Sequence, residues 1–230
     1  MARGYPPGVR TCWSIHAFSF PGVPAKEYGN GTMDATVLTR LLELYEEIDR
    51  QTAALKAMTE LRCPPGCGTC CSSHTAEATV LEMLPVAREL FCRRQALSLL
   101  ERSGAADDEG PCVFYQPERS ARRDGCCGIY SLRPSVCRLF GYGAVKNKYG
   151  SAQLAVCTVM KKVIPRAAQD AAYAVERGLA VPTFTDFARE VAGLDPSLGG
   201  RHLPINRALR FALEREGLAR HFDKGGRSES

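Results

Sequence analysis

The sequence has no long hydrophobic run, and this absence excludes one class of protein. No apolar stretch approaches the roughly 18–20 residues that a membrane-spanning helix needs. The first 17 residues contain two arginines, but Pro6, Pro7 and Gly8 interrupt any apolar stretch behind them, so no signal peptide is expected. We therefore expect a cytoplasmic protein without a membrane span.

The familiar catalytic motifs are also absent. There is no phosphate-binding glycine loop, no G-x-S-x-G elbow around a nucleophile and no H-E-x-x-H metal motif, so common nucleotide and hydrolase chemistries have no support. Histidine is scarce, at four residues. Of these, His74 lies three residues after a cysteine, but the supply of cysteine ligands is already ample.

Cysteine, in contrast, is abundant. The chain has 11 cysteines in 230 residues, at positions 12, 63, 67, 70, 71, 92, 112, 126, 127, 137 and 157. A secreted disulfide scaffold with this many cysteines is usually shorter and has an even number of them. In a reducing cytosol, clustered cysteines indicate metal ligands or redox groups, and we favour metal ligands over disulfides.

Positive charge is concentrated in one part of the chain. The formal net charge is +5, but residues 112–166 contain ten Lys or Arg against Glu118 and Asp124, a net of +8. Residues 1–111 have a net of −3 and residues 167–230 a net of zero. The basic segment also contains five of the cysteines.

The fold class predicted from hydrophobic spacing is mainly α, with a small β-hairpin and a cysteine-rich centre held together by metal. Apolar residues recur at helical spacing in several segments, and Lys146 to Gly150 is typical of a hairpin turn. The hairpin strands are predicted at Leu139–Val145 and Ser151–Cys157. The predicted helices cover residues 33–61, 79–102, 158–179, 183–194 and 203–222, with Pro204 in the first turn of the last.

These elements predict the domain organisation. Residues 1–31 form an irregular N-terminal arm, and residues 32–222 form a single cysteine-cluster domain. Within it, residues 63–160 are the metal-binding core and residues 158–222 the C-terminal helices. Residues 223–230 are predicted to be a disordered tail.

The segment Cys63-Pro-Pro-Gly-Cys67-Gly-Thr-Cys70-Cys71 has the composition of a metal-binding loop. Glycine and proline allow a tight reversal, so that thiolates two or three residues apart can turn onto the same ion. The adjacent pair Cys70 and Cys71 seldom both ligate one ion without strain. Such a pair more often serves two metals, bridges them, or divides into one ligand and one buried thiol.

The later segment Cys127-Gly-Ile-Tyr-Ser-Leu-Arg-Pro-Ser-Val-Cys137-Arg-Leu-Phe140 matches the signature C-x-I-Y-x-x-R-P-x-x-C-R-x-F. Together with the first loop and Cys112-Val-Phe-Tyr115, it resembles the CxxCxxCC family, the YkgJ-like zinc- or iron-chelating cysteine-cluster proteins, over roughly residues 63–160. The resemblance implies metal chelation by Cys63, Cys67, Cys70, Cys71, Cys112, Cys127, Cys137 and Cys157. Cys12, Cys92 and Cys126 are not matched, and we expect Cys92 to be a small buried hydrophobe.

Eight thiolates exceed one four-coordinate site, and three arrangements stay open. One [4Fe–4S] cluster would use four cysteines, two zinc ions would share all eight, or a single zinc ion would use four. Compact cysteine loops plus one distant cysteine are a common iron–sulfur layout, so we favour an iron–sulfur cofactor of the [4Fe–4S] type over zinc.

Three residues near the second motif are expected to support the metal or to bind an anion: Tyr130, Arg133 and Arg138. Arginines can balance the negative charge of a thiolate site, pair with carboxylates of helix 33–61, or face an anionic partner. Nucleic acid is an unlikely partner, because no nucleic-acid-binding motif accompanies the basic charge.

Three functions are consistent with these features. The first is an iron–sulfur protein in electron transfer or a redox reaction, with a redox or protein partner. The second is a zinc-stabilised binding or adaptor module without catalysis. The third is a metal-dependent protein-modifying enzyme such as a lysine N-methylase. Several members of the family that the chain resembles are called iron–sulfur oxidoreductases, and flagellin lysine N-methylases carry a similar cysteine set. Catalytic residues are not identified.

Overall fold

The fold is mainly α, as predicted, in a computed structural model that describes residues 35–73, 76–106, 110–117 and 125–225. The predicted arm 1–31, Cys12 and His74 lie outside these residues. The helices are α1 (Ala35–Thr59), α2 (Thr69–Ser72), α3 (Val80–Cys92), α4 (Ala96–Ala105), α5 (Ser135–Leu139), α6 (Thr158–Val163), α7 (Pro165–Glu176), α8 (Phe184–Leu194), α9 (Pro196–Gly199) and α10 (Ile205–Gly225).

The strands are short and pair in twos, all antiparallel. The pairs are β1 (Glu77–Ala78) with β6 (Leu203–Pro204), β2 (Tyr115–Gln116) with β3 (Cys126–Cys127), and β4 (Ala144–Lys146) with β5 (Ala152–Leu154). The β4–β5 pair is the predicted hairpin, with Val145 opposite Gln153. Its strands are shorter than predicted, because Leu139 ends α5 and Cys157 caps α6.

Two predicted helices are each divided in the structure. The stretch 79–102 separates into α3 and α4 because Arg94 takes a left-handed conformation, with φ of 58°, and Gln95 N–H donates back to the Leu90 carbonyl. That arrangement is the hydrogen-bonded helix end that normally favours glycine. The stretch 158–179 separates at Ile164, because the residue before a proline is biased away from helical conformation and Pro165 starts a new helix.

The C-terminal region shows two smaller differences. Pro204 was predicted in the first turn of the last helix but lies in β6, one residue before α10 begins. There it pairs with Glu77, and the following Ile205 N–H donates to the Ala76 carbonyl at 3.0 Å. Helix α10 continues to Gly225, three residues beyond the predicted end at Phe222.

The buried side chains form two hydrophobic clusters. The main cluster is built largely by α1, α3, α8 and α10, where α10 packs on α3 and α4. The second cluster is smaller and consists of Leu55, Leu61, Tyr142, Val156, Met160, Ala168 and Ala171. Helix α1 contributes to both clusters, since Tyr45 and Ile48 lie in the main cluster and Leu55 in the second.

Among the described residues, none of the helices combines the length and the apolarity that crossing a membrane requires.

Candidate metal centre

The first cysteine loop leaves the end of α1 and folds into a tight turn followed by one helical turn. Gly66 has a positive φ of 72°, and Cys67 N–H donates to the Pro64 carbonyl at 3.2 Å. Helix α2 then carries Cys70 and Cys71 at successive positions, which are about 100° apart around a helix axis. The two side chains therefore face different directions: Cys71 is buried and Cys70 is half-buried.

The second group of cysteines is attached to this loop by the backbone. Cys112 N–H donates to the Cys71 carbonyl at 3.0 Å, which joins segments 41 residues apart. Pairing of β2 with β3 then sets Cys127 opposite Tyr115. Gly125, with φ of 94°, directly precedes β3. Backbone hydrogen bonds therefore join the segments that contain Cys112 and Cys127 to the first cysteine loop.

Cys137 lies on α5, and a buried carboxylate fixes the start of that helix. Glu82, only 1% exposed, accepts hydrogen bonds from the Ser135 N–H at 2.9 Å and from the Ser135 hydroxyl. The same carboxylate accepts from the Thr79 N–H at 3.0 Å and caps α3. Glu82 thereby joins the beginnings of α3 and α5. Its contact on α5, Ser135, lies two residues before Cys137.

Cys157 and Cys63 lie at the other end of the centre, beside the second cluster. The Cys157 sulfur accepts the Met160 N–H at 3.3 Å and so caps α6. Cys63 N–H donates to the Tyr142 hydroxyl at 2.8 Å, and Tyr142 is part of the second cluster. Tyr142 was not identified from the sequence, where no spacing connects it with Cys63.

The thiols contact one another through hydrogen bonds. The Cys71 thiol donates toward the sulfurs of Cys127 and Cys70, and this raises the pKa of Cys71 well above its usual value. Acceptance of that hydrogen bond lowers the pKa of Cys70 to about 6 and also lowers the pKa of Cys127. A second thiol hydrogen bond joins Cys63 to Cys67.

Burial opposes ionisation of the other thiols. It raises the pKa of Cys112 to about 12 and also raises the pKa of Cys137. Cys63 is exposed as a residue, but partial desolvation of its thiol raises its pKa to about 12 as well. Neighbouring cysteines add to each shift, because several thiolates in one place repel each other. A bound cation reverses this balance, since it attracts the thiolate form and displaces the protons.

The donor set suits a soft metal by its chemistry, although the ligand geometry is not preformed. Within the described ranges, no three cysteine, histidine or acidic side chains are arranged so that they could hold a metal ion as they stand. The thiols instead hydrogen bond to one another. Closure around zinc or an iron–sulfur cluster therefore requires side-chain rotation, and thiolate is the ligand that both of these prefer.

The two arginines that flank Cys137 have different surroundings. Arg138 has a buried side chain, 4% exposed, which pairs with Asp49 on α1 and donates to the backbone carbonyls of Arg133 and Ser131. Its guanidinium also lies over the Tyr45 ring, 4.4 Å from the centroid. Pairing with a carboxylate of the first helix was one of the predicted roles, and Arg138 fulfils it.

Arg133 is the arginine that faces the cysteines. Its positive charge lowers the pKa of Cys70, after the larger effect of the hydrogen bond from Cys71, and it also favours the thiolate forms of Cys127 and Cys137. The guanidinium stacks on the Tyr130 ring at 3.6 Å from the centroid. Tyr130 is 44% exposed, so this pair lies at the surface of the centre.

A second cation at the surface, Lys56, was missed in the sequence because it lies in the repeating pattern of α1. Its ammonium is 4.2 Å from the centroid of the Tyr142 ring. Burial lowers the pKa of Lys56, the Arg133 charge lowers it further, and the neighbouring Cys63 opposes these effects. Lys56 thus lies on the Cys63 side of the centre.

Two of the described cysteines, Cys92 and Cys126, are outside the predicted ligand set. Cys92 was predicted to be buried, and this is wrong: it is exposed at the end of α3. Successive helix positions rotate by about 100°, so the buried Leu90 does not carry Cys92 inward. The Cys126 thiol points to the Gln116 side chain at 3.9 Å, across β2–β3.

Comparison with known proteins identifies this region. Residues 62–158 match a family model named CxxCxxCC and described as a "putative zinc- or iron-chelating domain". The match includes all eight cysteines of the predicted ligand set. No curated protein and no solved structure matches the chain. Over these residues the chain is therefore similar to the CxxCxxCC family, as the two cysteine motifs predicted.

Proposed function

We propose that the protein is an iron–sulfur protein that transfers electrons or takes part in a redox reaction. Metal binding itself is supported by the similarity of residues 62–158 to a zinc- or iron-chelating domain. The observation that carries the proposal is the gathering of thiols from five separate segments, in which Cys71 lies beside Cys70 and Cys127. A donor set made only of thiolates excludes hard cations such as magnesium and calcium.

The surroundings of the thiols suit an iron–sulfur cluster. Backbone N–H groups that point at sulfur, such as that of Met160 toward Cys157, adjust the reduction potential of iron–sulfur clusters. Arg133 supplies positive charge beside Cys70, Cys127 and Cys137. A [4Fe–4S] cluster on four thiolates carries a formal charge of about −2 in its oxidised form, which such a cation balances.

The position of the centre supports exchange of electrons with a partner. Cys63 is exposed and Cys67 and Cys70 are half-buried, so the cysteines reach the protein surface. Lys56, Arg133 and the exposed Tyr130 lie around this opening. A cationic rim of this kind favours a redox partner with an acidic surface, since opposite charges steer association.

One observation favours a second candidate, a zinc-stabilised adaptor without catalysis. Cys112 belongs to the main cluster while Cys157 packs against the second, so a metal bound between them would hold the two clusters together. Zinc does this without chemistry of its own. Nothing in the described ranges favours the third hypothesis, a lysine N-methylase.

Visible spectroscopy on anaerobically purified protein separates the two candidates. We expect brown protein whose visible absorption bleaches on addition of dithionite and returns on reoxidation. The Cys92→Ser variant, altered at an exposed thiol outside the ligand set, should have the same spectrum. Colourless protein with stoichiometric zinc would contradict the iron–sulfur assignment and support the adaptor.

A further inference from the structure

We propose that helix α10 carries a self-complementary surface through which two copies of the chain associate, with their α10 helices antiparallel. The surface is the α10 stripe, which consists of Phe211, Arg215, Leu218 and Phe222. The α10 stripe lies outside the residues that match the metal-chelating domain, so association through it is independent of the metal centre.

The apolar residues of the α10 stripe are exposed, although α10 is otherwise a packed helix. Phe211 is 41% exposed, Leu218 58% and Phe222 68%. On the opposite face of the helix, Leu209 and Leu213 are fully buried in the main cluster. One helix therefore has two apolar faces, of which one belongs to the core. A row of large exposed apolar side chains is typical of a surface that a partner covers.

The spacing within the α10 stripe is that of a helix-packing seam. Its four positions are separated by four, three and four residues, the alternation that keeps side chains in line along a helix. A seam of this kind is covered by a second helix, whose side chains insert between those of the first. The partner that fits the stripe is therefore a helix with a matching row of side chains.

Arg215, the charged member of the α10 stripe, selects an antiparallel copy of the same helix. In a parallel pair, Arg215 of one copy would face Arg215 of the other, and like charges repel. In an antiparallel pair, Phe211 lies across from Phe222 of the second copy. The same register sets Arg215 across from Leu218 of the second copy, because both pairs are centred on one point of the helix.

The counter-charge for Arg215 is its neighbour in the chain. Glu214 lies at the edge of the α10 stripe with its side chain 44% exposed, and in the antiparallel pair it borders the position of Arg215 of the second copy. It pairs with Arg210 on its own helix at 2.9 Å, but an ionised carboxylate accepts from more than one donor. Two-fold symmetry forms the contact between Glu214 and Arg215 twice.

The length of the α10 stripe predicts a weak association. Residues 211–222 span about 17 Å of helix. Two helices that pack over this length bury less than about 1,200 Å², which is the range of transient complexes. We therefore expect a reversible dimer with a dissociation constant on the order of 10 µM.

Sedimentation velocity of the anaerobically purified, metal-loaded protein in a reducing buffer tests this surface, because it gives the mass as a function of concentration. The mass should rise from that of one chain to that of two between about 1 and 100 µM. Leu218→Lys should stay monomeric over this range, since its ammonium would face Arg215 of the second copy. Leu97→Lys is the matched control, because Leu97 is a 73% exposed leucine on α4, and this variant should associate as the wild type does.

Charge reversal tests the antiparallel register. Glu214→Arg and Arg215→Glu should each weaken association about tenfold, because each substitution sets like charges against one another. The double variant E214R/R215E exchanges the two charges and should restore association to within about threefold. Arg215 also acts on Asp195, which caps α9, so circular dichroism first shows whether each variant is folded. If a charge variant does not fold, Leu218→Lys at its exposed position still decides the outcome.

A wild-type chain that stays monomeric at about 100 µM, with another segment or an unrelated partner covering the stripe, would overturn the proposal. So would a dimer that Leu218→Lys leaves intact, or single charge reversals whose effect the double variant does not relieve. Protein that associates but lacks iron would contradict the iron–sulfur function alone, because the α10 stripe contains no cysteine.

Discussion

At the scale of single residues, the centre depends on side chains that are not metal ligands. Arg138 and Arg133 stand on either side of Cys137 in the motif, yet only Arg133 faces the thiols. Arg138 instead fixes the backbone that leads into α5 through the carbonyls of Ser131 and Arg133. Arg138 therefore has a structural role, and its contribution can be measured as a change in the free energy of unfolding.

Arg138→Lys should lower the free energy of unfolding by about 2 kcal/mol, because lysine cannot reproduce the forked hydrogen bonds of a buried guanidinium. Chemical denaturation of the metal-loaded protein measures this. Arg50→Lys is the matched control. Arg50 lies on α1 and forms an ion pair with Glu47, but its side chain is 73% exposed, so this substitution should change the free energy of unfolding little. Equal effects of the two substitutions would show that the Arg138 hydrogen bonds contribute nothing.

Glu82 is the second such residue. Glu82→Ala should destabilise the protein by roughly 3 kcal/mol, because it leaves the buried N–H groups of Thr79 and Ser135 without their acceptor. It should also lower the metal content, since α5 carries Cys137. Thermal unfolding and metal analysis measure the two effects.

Glu89→Ala is the control for Glu82, because Glu89 lies on the same helix in a half-exposed pair with Arg93. A surface pair of this kind contributes at most about 1 kcal/mol. Unchanged metal content in Glu82→Ala would show that the Glu82 carboxylate is not needed to position Cys137.

At the scale of elements, the sequence predicts that a helix is present more accurately than it predicts the residues at which the helix begins and ends. Apolar spacing alone is enough for α1, α8 and α10. The division of 79–102 was not predictable in the same way, because it depends on a left-handed Arg94 rather than on glycine or proline. The pairing of β1 with β6 joins segments more than 120 residues apart and leaves no local pattern.

The β2–β3 pair is the element that positions Cys127. At Gly125, with φ of 94°, an added Cβ would lie 2.5 Å from the Gln116 carbonyl oxygen. Gly125→Ala should therefore displace β3 and reduce metal binding at Cys127, in addition to about 1–2 kcal/mol of backbone strain. Metal analysis and thermal unfolding check both effects.

Gly150 provides the matched control, because its φ of 82° is similar but an added Cβ meets nothing within 4 Å. Gly150→Ala should show the strain without loss of metal. If the two variants retained the same metal content, β3 would not be the element that positions Cys127.

At the scale of the whole molecule, the cysteines connect parts of the chain that pack on different hydrophobic clusters. The sequence indicated the eight thiols through their motifs, and the family match confirms the motifs. It could not indicate Tyr142 or Glu82, because each contacts the cysteine segments across more than 50 residues. Long-range contacts of this kind arise from packing and have no periodic signature.

The same limit applies to charge. The basic segment 112–166 was evident from composition, but its charged side chains have different partners in the fold. Lys146 pairs with Asp186 at 3.0 Å, Arg138 pairs with Asp49, and Arg133 faces the thiols. A net of +8 therefore does not amount to one continuous cationic surface over the described residues.

Analysis of iron and acid-labile sulfide in anaerobically purified full-length protein is the decisive measurement for the metal centre. We expect iron and sulfide in comparable molar amounts, with the thiols of the eight cysteines protected from alkylation until the metal is removed. Protein that contains no metal, and whose eight thiols alkylate freely without a chelator, would contradict the metal centre itself.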